Sequence, residues 1–188
     1  AWQGLDGCNE YLNVSAPAVI EALHRAFLEA GAQVVETNTF GASRIVLAEY
    51  GLEDRVREIN EAAVANARRA MKGLHGRYIA GSIGPTTKLP SLGHVSRDAL
   101  FAALQEQVEV LVASGVDVLV FETCQDLLQL KSGLVAAFEV LERMSCDIPV
   151  MASVTVERTG TMLVGSDMAA VAATLEPFPL FSLGLNCA

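Results

Sequence analysis

The sequence predicts an α/β fold: a (β/α)8 TIM barrel, present as an incomplete barrel of about five parallel strands. Apolar runs centred near residues 34, 79, 119, 151 and 183 alternate with segments of helical periodicity. That order, with right-handed crossovers, builds a parallel sheet. The runs end in polar groups: Glu36-Thr37-Asn38, Glu122-Thr123, Ser153-Val154-Thr155 and Asn186-Cys187. Polar groups at successive strand ends are what the rim of a β/α barrel needs. No strand is followed by a glycine-rich phosphate loop, because Gly81-Ser82-Ile83-Gly84-Pro85 has the wrong spacing and ends in proline. This favours the barrel over the competing solution, a doubly wound open sheet closed at five strands.

The elements follow in order. Residues 1–14 read as irregular, with Ser15 as N-cap and Pro17 in the first turn of a helix whose apolar positions Val19, Ala22, Leu23, Ala26 and Phe27 recur at helical spacing and which Gly31 ends. A strand covers Ala32 to Glu36, and Thr37 to Gly41 form the loop above it. A helical region from Ser43 pauses at Gly51 and resumes to about Met71, with Val56, Ile59, Ala63 and Ala67 inward. The next strand runs from Arg77 to Ser82, and its loop stays irregular to Ser96, longer than packing needs. Ser96 caps a helix reaching Ser114, with Leu100, Leu104, Val108 and Leu111 inward and Gly115 as its stop. Val116 to Phe121 is the clearest buried strand. A helix from Asp126 to about Met144 follows, with Gly133 as a close packing point. Ile148 to Val154, a short helix from Asp167 to Leu175, and a strand from Leu180 to Asn186 complete the chain. A leading helix stands with no strand before it, so residues 1–188 read as one partial barrel domain whose first strand and C-terminal strands are missing.

Composition narrows the function classes. Apolar residues make up 52% and charged residues 19% of the 188 positions, which suits strands buried on both faces. No apolar run reaches the roughly 18 residues that span a bilayer, and no signal peptide is recognisable. A formal net charge of −9 argues against nucleic acid as a partner. The four cysteines, Cys8, Cys124, Cys146 and Cys187, include no CxxC pair and fit a reducing, cytoplasmic setting.

Few residues have the chemistry to act. Cys187 reads as a small buried apolar residue, a metal thiolate or a nucleophile; no base lies near it, and one cysteine is a third of a zinc site at best. Glu122 ends a strongly apolar strand, either as a solvated cap or as an anchor for a cationic group. Glu36 ends another strand in the same way and reads as structural. Asn38, Thr39, Thr123, Ser153 and Thr155 offer neutral hydrogen bonds that suit an amino-acid zwitterion and would equally tie loops together. His24, His75 and His94 show no ligand spacing and read as ordinary surface or satisfied histidines. Cys124 reads as structural.

The motifs resemble one family. Asp6 to Asn13, Glu36-Thr37-Asn38-Thr39-Phe40-Gly41-Ala42, Gly81 to Thr86, Phe121-Glu122-Thr123, Thr159 to Gly165 and Gly184-Leu185-Asn186-Cys187-Ala188 are similar to the homocysteine-binding barrel of cobalamin-dependent methionine synthases. The resemblance covers essentially the whole chain. It implies zinc held by three cysteines, of which Cys187 matches the first. It implies that Glu122 grips the amino group of L-homocysteine and is the one strong substrate contact carried over, while Asn38, Thr39, Ser153 and Thr155 remain candidate substrate contacts on their hydrogen-bonding groups alone. The implied reaction is methylation of the homocysteine thiol to give methionine. The implied donor is methylcobalamin, recharged from 5-methyltetrahydrofolate, with folate and cobalamin bound on other modules of the same parent protein. Two alternatives stand beside it. One is a homocysteine methyltransferase using betaine or S-methylmethionine. The other is a non-catalytic structural α/β fragment.

Overall fold

The computed structural model describes residues 4–187. Ala1 to Gln3 and Ala188, which belong to stretches read above, lie outside the described residues. Five strands form one sheet: β1 (Val34–Glu36), β2 (Tyr78–Ile83), β3 (Val118–Cys124), β4 (Val150–Val154) and β5 (Ser182–Leu185). All neighbours pair in parallel, and their order in the sheet is their order in the chain. This decides between the two architectures. A doubly wound sheet reverses strand order at a switch point, and no reversal occurs here. With right-handed crossovers, sequential order puts every helix on one face of the sheet, as in a barrel wall.

The helices are α1 (Leu12–Ser15), α2 (Pro17–Glu29), α3 (Arg44–Leu47), α4 (Val56–Ala70), α5 (Arg97–Ser114), α6 (Leu127–Arg143) and α7 (Met168–Leu175). The long ones pack as a row, α2 on α4, α4 on α5 and α5 on α6. Their inward faces meet alternate strand residues. Val35, Ile79, Ile83, Leu119, Phe121, Val150, Ala152 and Val154 are all buried in this core. Because side chains alternate along a strand, Glu36, Ser82, Glu122 and Ser153 belong to the other, concave face.

Local chemistry explains most boundaries. Ser96 accepts the Ala99 N–H at 3.2 Å, and α5 stops at Gly115, whose φ of 84° is left-handed. Asp126 caps α6 by accepting from the N–H groups of Leu128 and Gln129, and Asp167 caps α7 through the Ala170 N–H. Polar caps of this kind are readable in sequence because the first helical N–H groups lack internal partners.

Three departures stand out. The opening stretch is not irregular: a short 3₁₀ turn at Asn9–Tyr11 leads into α1, so Ser15 ends that helix and Ala16 precedes α2. This stretch is ordered because Cys8 and Tyr11 pack with Leu47, Leu52, Val56 and Ile59 in a second apolar cluster. Secondly, α2 buries Ile20, His24 and Leu28, while Val19, Leu23 and Phe27 remain 58%, 53% and 59% exposed. His24 is thereby not an ordinary or satisfied histidine: it is buried, its Nε2 has no hydrogen-bond partner among the described residues, and burial pushes its pKa down. Thirdly, the sheet is buried chiefly on its helix-covered face. On the concave side Val34 and Tyr78 are exposed, and on the opposite face Leu183 and Leu185 of β5, in register with Ala152 and Val154, are exposed as well.

Gly133 is a close packing point, as its position suggested. A Cβ built there would lie 2.7 Å from Phe121 Cε1 and 3.3 Å from Leu104 Cδ1. Ala is the better helix former by roughly 1 kcal/mol, but overpacking a filled core costs about 1–3 kcal/mol. Gly133→Ala is therefore expected to lower stability, measured as a lower denaturant midpoint. A midpoint at or above that of the parent would show that α6 can move off β3 freely.

Candidate functional site

The site lies at the C-terminal ends of the strands, because five parallel strands point their ends to one rim. Glu122 and Thr123 sit in an irregular stretch of β3, where the register with β4 shifts between Phe121 and Cys124. Such bulges re-aim side chains. Thr123 takes a left-handed φ of 57°, uncommon for a β-branched residue.

Ser82 on β2 donates its hydroxyl to Glu122 Oε1 at 2.6 Å. Ser82 in turn is fixed by the loop after β1: its N–H donates to Thr37 Oγ1 at 3.1 Å, and its carbonyl accepts from Thr39 Oγ1 at 2.7 Å. That loop is clamped from outside. Glu10 accepts the Gly41 N–H at 2.7 Å, Asn13 Nδ2 donates to the Asn38 carbonyl at 2.7 Å, and Gln107 Nε2 donates to the Thr39 carbonyl at 2.8 Å. A Cβ at Gly41 would meet Glu10 Oε1 at 2.9 Å, so any side chain there would displace the Glu10 carboxylate from this clamp.

Glu36, Asn38, Ser82 and Glu122 line an open cleft of about 720 Å³ that continues along β1 toward Leu23 and His24 of α2. Glu36 is exposed on the cleft, and partial desolvation by the cleft wall, with the neighbouring Glu122 carboxylate second, holds its carboxyl above its ordinary value. Two carboxylates on one cleft, with no ion pair to either among the described residues, give it negative potential, which suits a cationic group. Sequence reasoning treated Glu36 as structural; that its side chain lies on the cleft beside Glu122 depends on strand register, which no local motif encodes.

Cys187 follows β5. Its side chain is exposed, not buried as a small apolar residue, and its φ is 54°. Its sulfur lies 3.8 Å from Thr123 Oγ1 and 3.7 Å from Asn186 Nδ2, on the same rim as Glu122. Thr39 and Thr155 are buried; Thr39 bonds the Ser82 carbonyl, and Thr155 bonds the Asn186 carbonyl at 3.0 Å. Ser153 donates to Asn186 Oδ1 at 2.8 Å. Asn38 is half-buried on the cleft, and its Nδ2 bonds the Asn9 carbonyl at 2.8 Å. Cys124 is fully buried and its thiol is pushed up to about 12, mainly by burial, so it is no nucleophile near neutral pH. Cys8 is also buried.

As a metal ligand, Cys187 fits singly. An exposed sulfur that accepts two hydrogen bonds is a suitable thiolate donor. Among the described residues no group of three or more His, Cys, Asp or Glu side chains could hold a metal ion. The described residues thus offer one ligand of a site rather than a site.

The family model for homocysteine S-methyltransferases matches residues 1–188. The chain belongs to the homocysteine S-methyltransferase family. It is 44% identical over 191 residues to the methionine synthases of Mycobacterium tuberculosis and Mycobacterium leprae, a match covering 100% of this chain and 16% of each relative. The chain thus spans about a sixth of their length. Its fold is similar to the metallated form of the homocysteine methyltransferase MmuM from Escherichia coli. The TM-score is 0.79 at 25% identity, over 94% of this chain and 65% of that one.

The sign of the Glu36 effect gives a pH test. A carboxyl whose folded pKa is raised contributes stability that is present below its ordinary value of 4.5 and lost as pH rises through the raised value. Glu36→Gln removes that loss. Its thermal midpoint is expected to exceed that of the parent near pH 7, with the gap narrowing toward pH 4. An equal gap at both pH values would show that the carboxylate is not strained by its surroundings.

Proposed function

We propose that this chain forms the part of a homocysteine methyltransferase that grips the amino acid and supplies one sulfur ligand to zinc. The observation that carries the reading is the placement of Glu122 and Cys187 on one rim, linked through Thr123. Glu122, held on one oxygen by Ser82, presents its charge to the cleft and takes the ammonium of homocysteine. Glu36 adds negative potential on the same side, and Asn38 offers an amide at the cleft wall. Zinc, when bound, would stabilise the homocysteine sulfur as thiolate near neutral pH. Cys187 would hold it from this chain. The clamp on the β1 loop keeps the rim from moving while the sulfur gains its methyl group.

The methyl donor separates two readings. Structural likeness to the Escherichia coli homocysteine methyltransferase, of which this chain matches 65%, supports a small donor such as betaine or S-methylmethionine. The two methionine synthases, six times longer than the matched stretch, support methylcobalamin recharged from 5-methyltetrahydrofolate on further modules. The residues that hold homocysteine serve either donor. Supplying the three donors separately to the complete polypeptide, with homocysteine, and measuring methionine distinguishes them.

Two substitutions test the shared core. Cys187→Ser in the complete polypeptide is expected to lose most bound zinc and most methyl transfer; unchanged zinc by metal analysis would refute the ligand role. Glu122→Ala is expected to weaken homocysteine binding by about 10- to 100-fold, as for loss of a charged hydrogen bond worth about 1.5–3 kcal/mol, while leaving zinc occupancy nearly intact. Calorimetric titration showing equal affinity would remove Glu122 from the site.

A further inference from the structure

We infer that Asn186 is a positioning residue that fixes the Cys187 sulfur at the rim, with Thr123 as its relay. The inference rests on the reading of Cys187 as a metal ligand and goes beyond it. Every polar group of Asn186 is engaged. Its Oδ1 accepts from the Thr123 N–H at 2.9 Å and from Ser153 Oγ at 2.8 Å. Its Nδ2 donates to Thr123 Oγ1 at 2.8 Å and to Cys187 Sγ at 3.7 Å. Its own N–H donates to the Val154 carbonyl at 3.2 Å, and its carbonyl accepts from Thr155 Oγ1 at 3.0 Å. One side chain therefore ties the bulge of β3 and the end of β4 to the residue that carries the thiol.

The direction of these bonds is forced. A backbone N–H can only donate, so the amide atom facing Thr123 N is the oxygen. The other amide atom must then be NH2, which can only donate, so Thr123 Oγ1 accepts from it. That leaves the Thr123 hydroxyl proton free to point at Cys187 Sγ, 3.8 Å away. The sulfur receives two donors and is asked to give no proton, the state required of a thiolate ligand. The same amide spans the two left-handed residues of the rim, Thr123 at φ 57° and Cys187 at φ 54°. Such backbone persists only where surrounding bonds over-determine it. Asn186 and Thr123 supply those bonds.

The test measures zinc affinity of the complete polypeptide by competition with a chromogenic chelator, with thermal midpoints recorded alongside. Asn186→Ala and Thr123→Val are expected to weaken zinc binding by about 10- to 100-fold, the usual effect of losing a group that orients a metal ligand. Thr123→Ser, which keeps the hydroxyl, is expected to stay near the parent. If Asn186→Ala does not fold, the Thr123 pair decides. Thr123→Val binding zinc as tightly as the parent, while Cys187→Ser loses it, overturns the positioning role and leaves the ligand reading standing. Zinc retained in Cys187→Ser overturns both.

Discussion

Sequential parallel pairing is the constraint on which the rest depends. Because each strand lies beside the next one in the chain, all five C-terminal ends share one rim, and residues more than 60 positions apart become neighbours there. Thr123 and Asn186 meet only for this reason. So do Ser82 and Glu122, one strand apart. The helices enforce the arrangement by covering one face, which commits the alternate residues of every strand to the concave side.

The rim is held by hydrogen bonds rather than by apolar packing. The first half is a chain from Glu10 and Asn13 through the loop after β1 to Ser82 and Glu122. The second half is centred on Asn186. Glu122 and Thr123 adjoin both halves, in the irregular stretch of β3. A network with most partners satisfied rigidifies its members, which suits a surface that must orient a small amino acid. The remaining tension is the pair of carboxylates, Glu36 and Glu122, facing one cleft with no ion pair to either among the described residues.

Much of the scaffold was legible in the sequence. Strand positions, the cap at Ser96 and the stop at Gly115 follow from local rules about backbone donors and glycine, and the structure repeats them. Glu122 and Cys187 stood out because polar groups at the ends of apolar runs are conspicuous. What could not be read depends on distant partners. The ordering of residues 8–15 comes from packing on Leu47 and Ile59. The face of α2 that is buried, Ile20, His24 and Leu28 rather than Val19, Leu23 and Phe27, depends on what that helix lies against. The commitment of Thr39 and Thr155 to carbonyls, and the role of Asn186, require knowing strand register.

The stripe of Val19, Leu23 and Phe27, with the outer margins of β1 and β5, which pair with no further strand among the described residues, has a practical consequence. Greasy side chains beside unpaired backbone amides invite other molecules to dock. Concentrated by itself, a polypeptide of these residues is expected to clump, and its net charge of −9 would slow that process without preventing it.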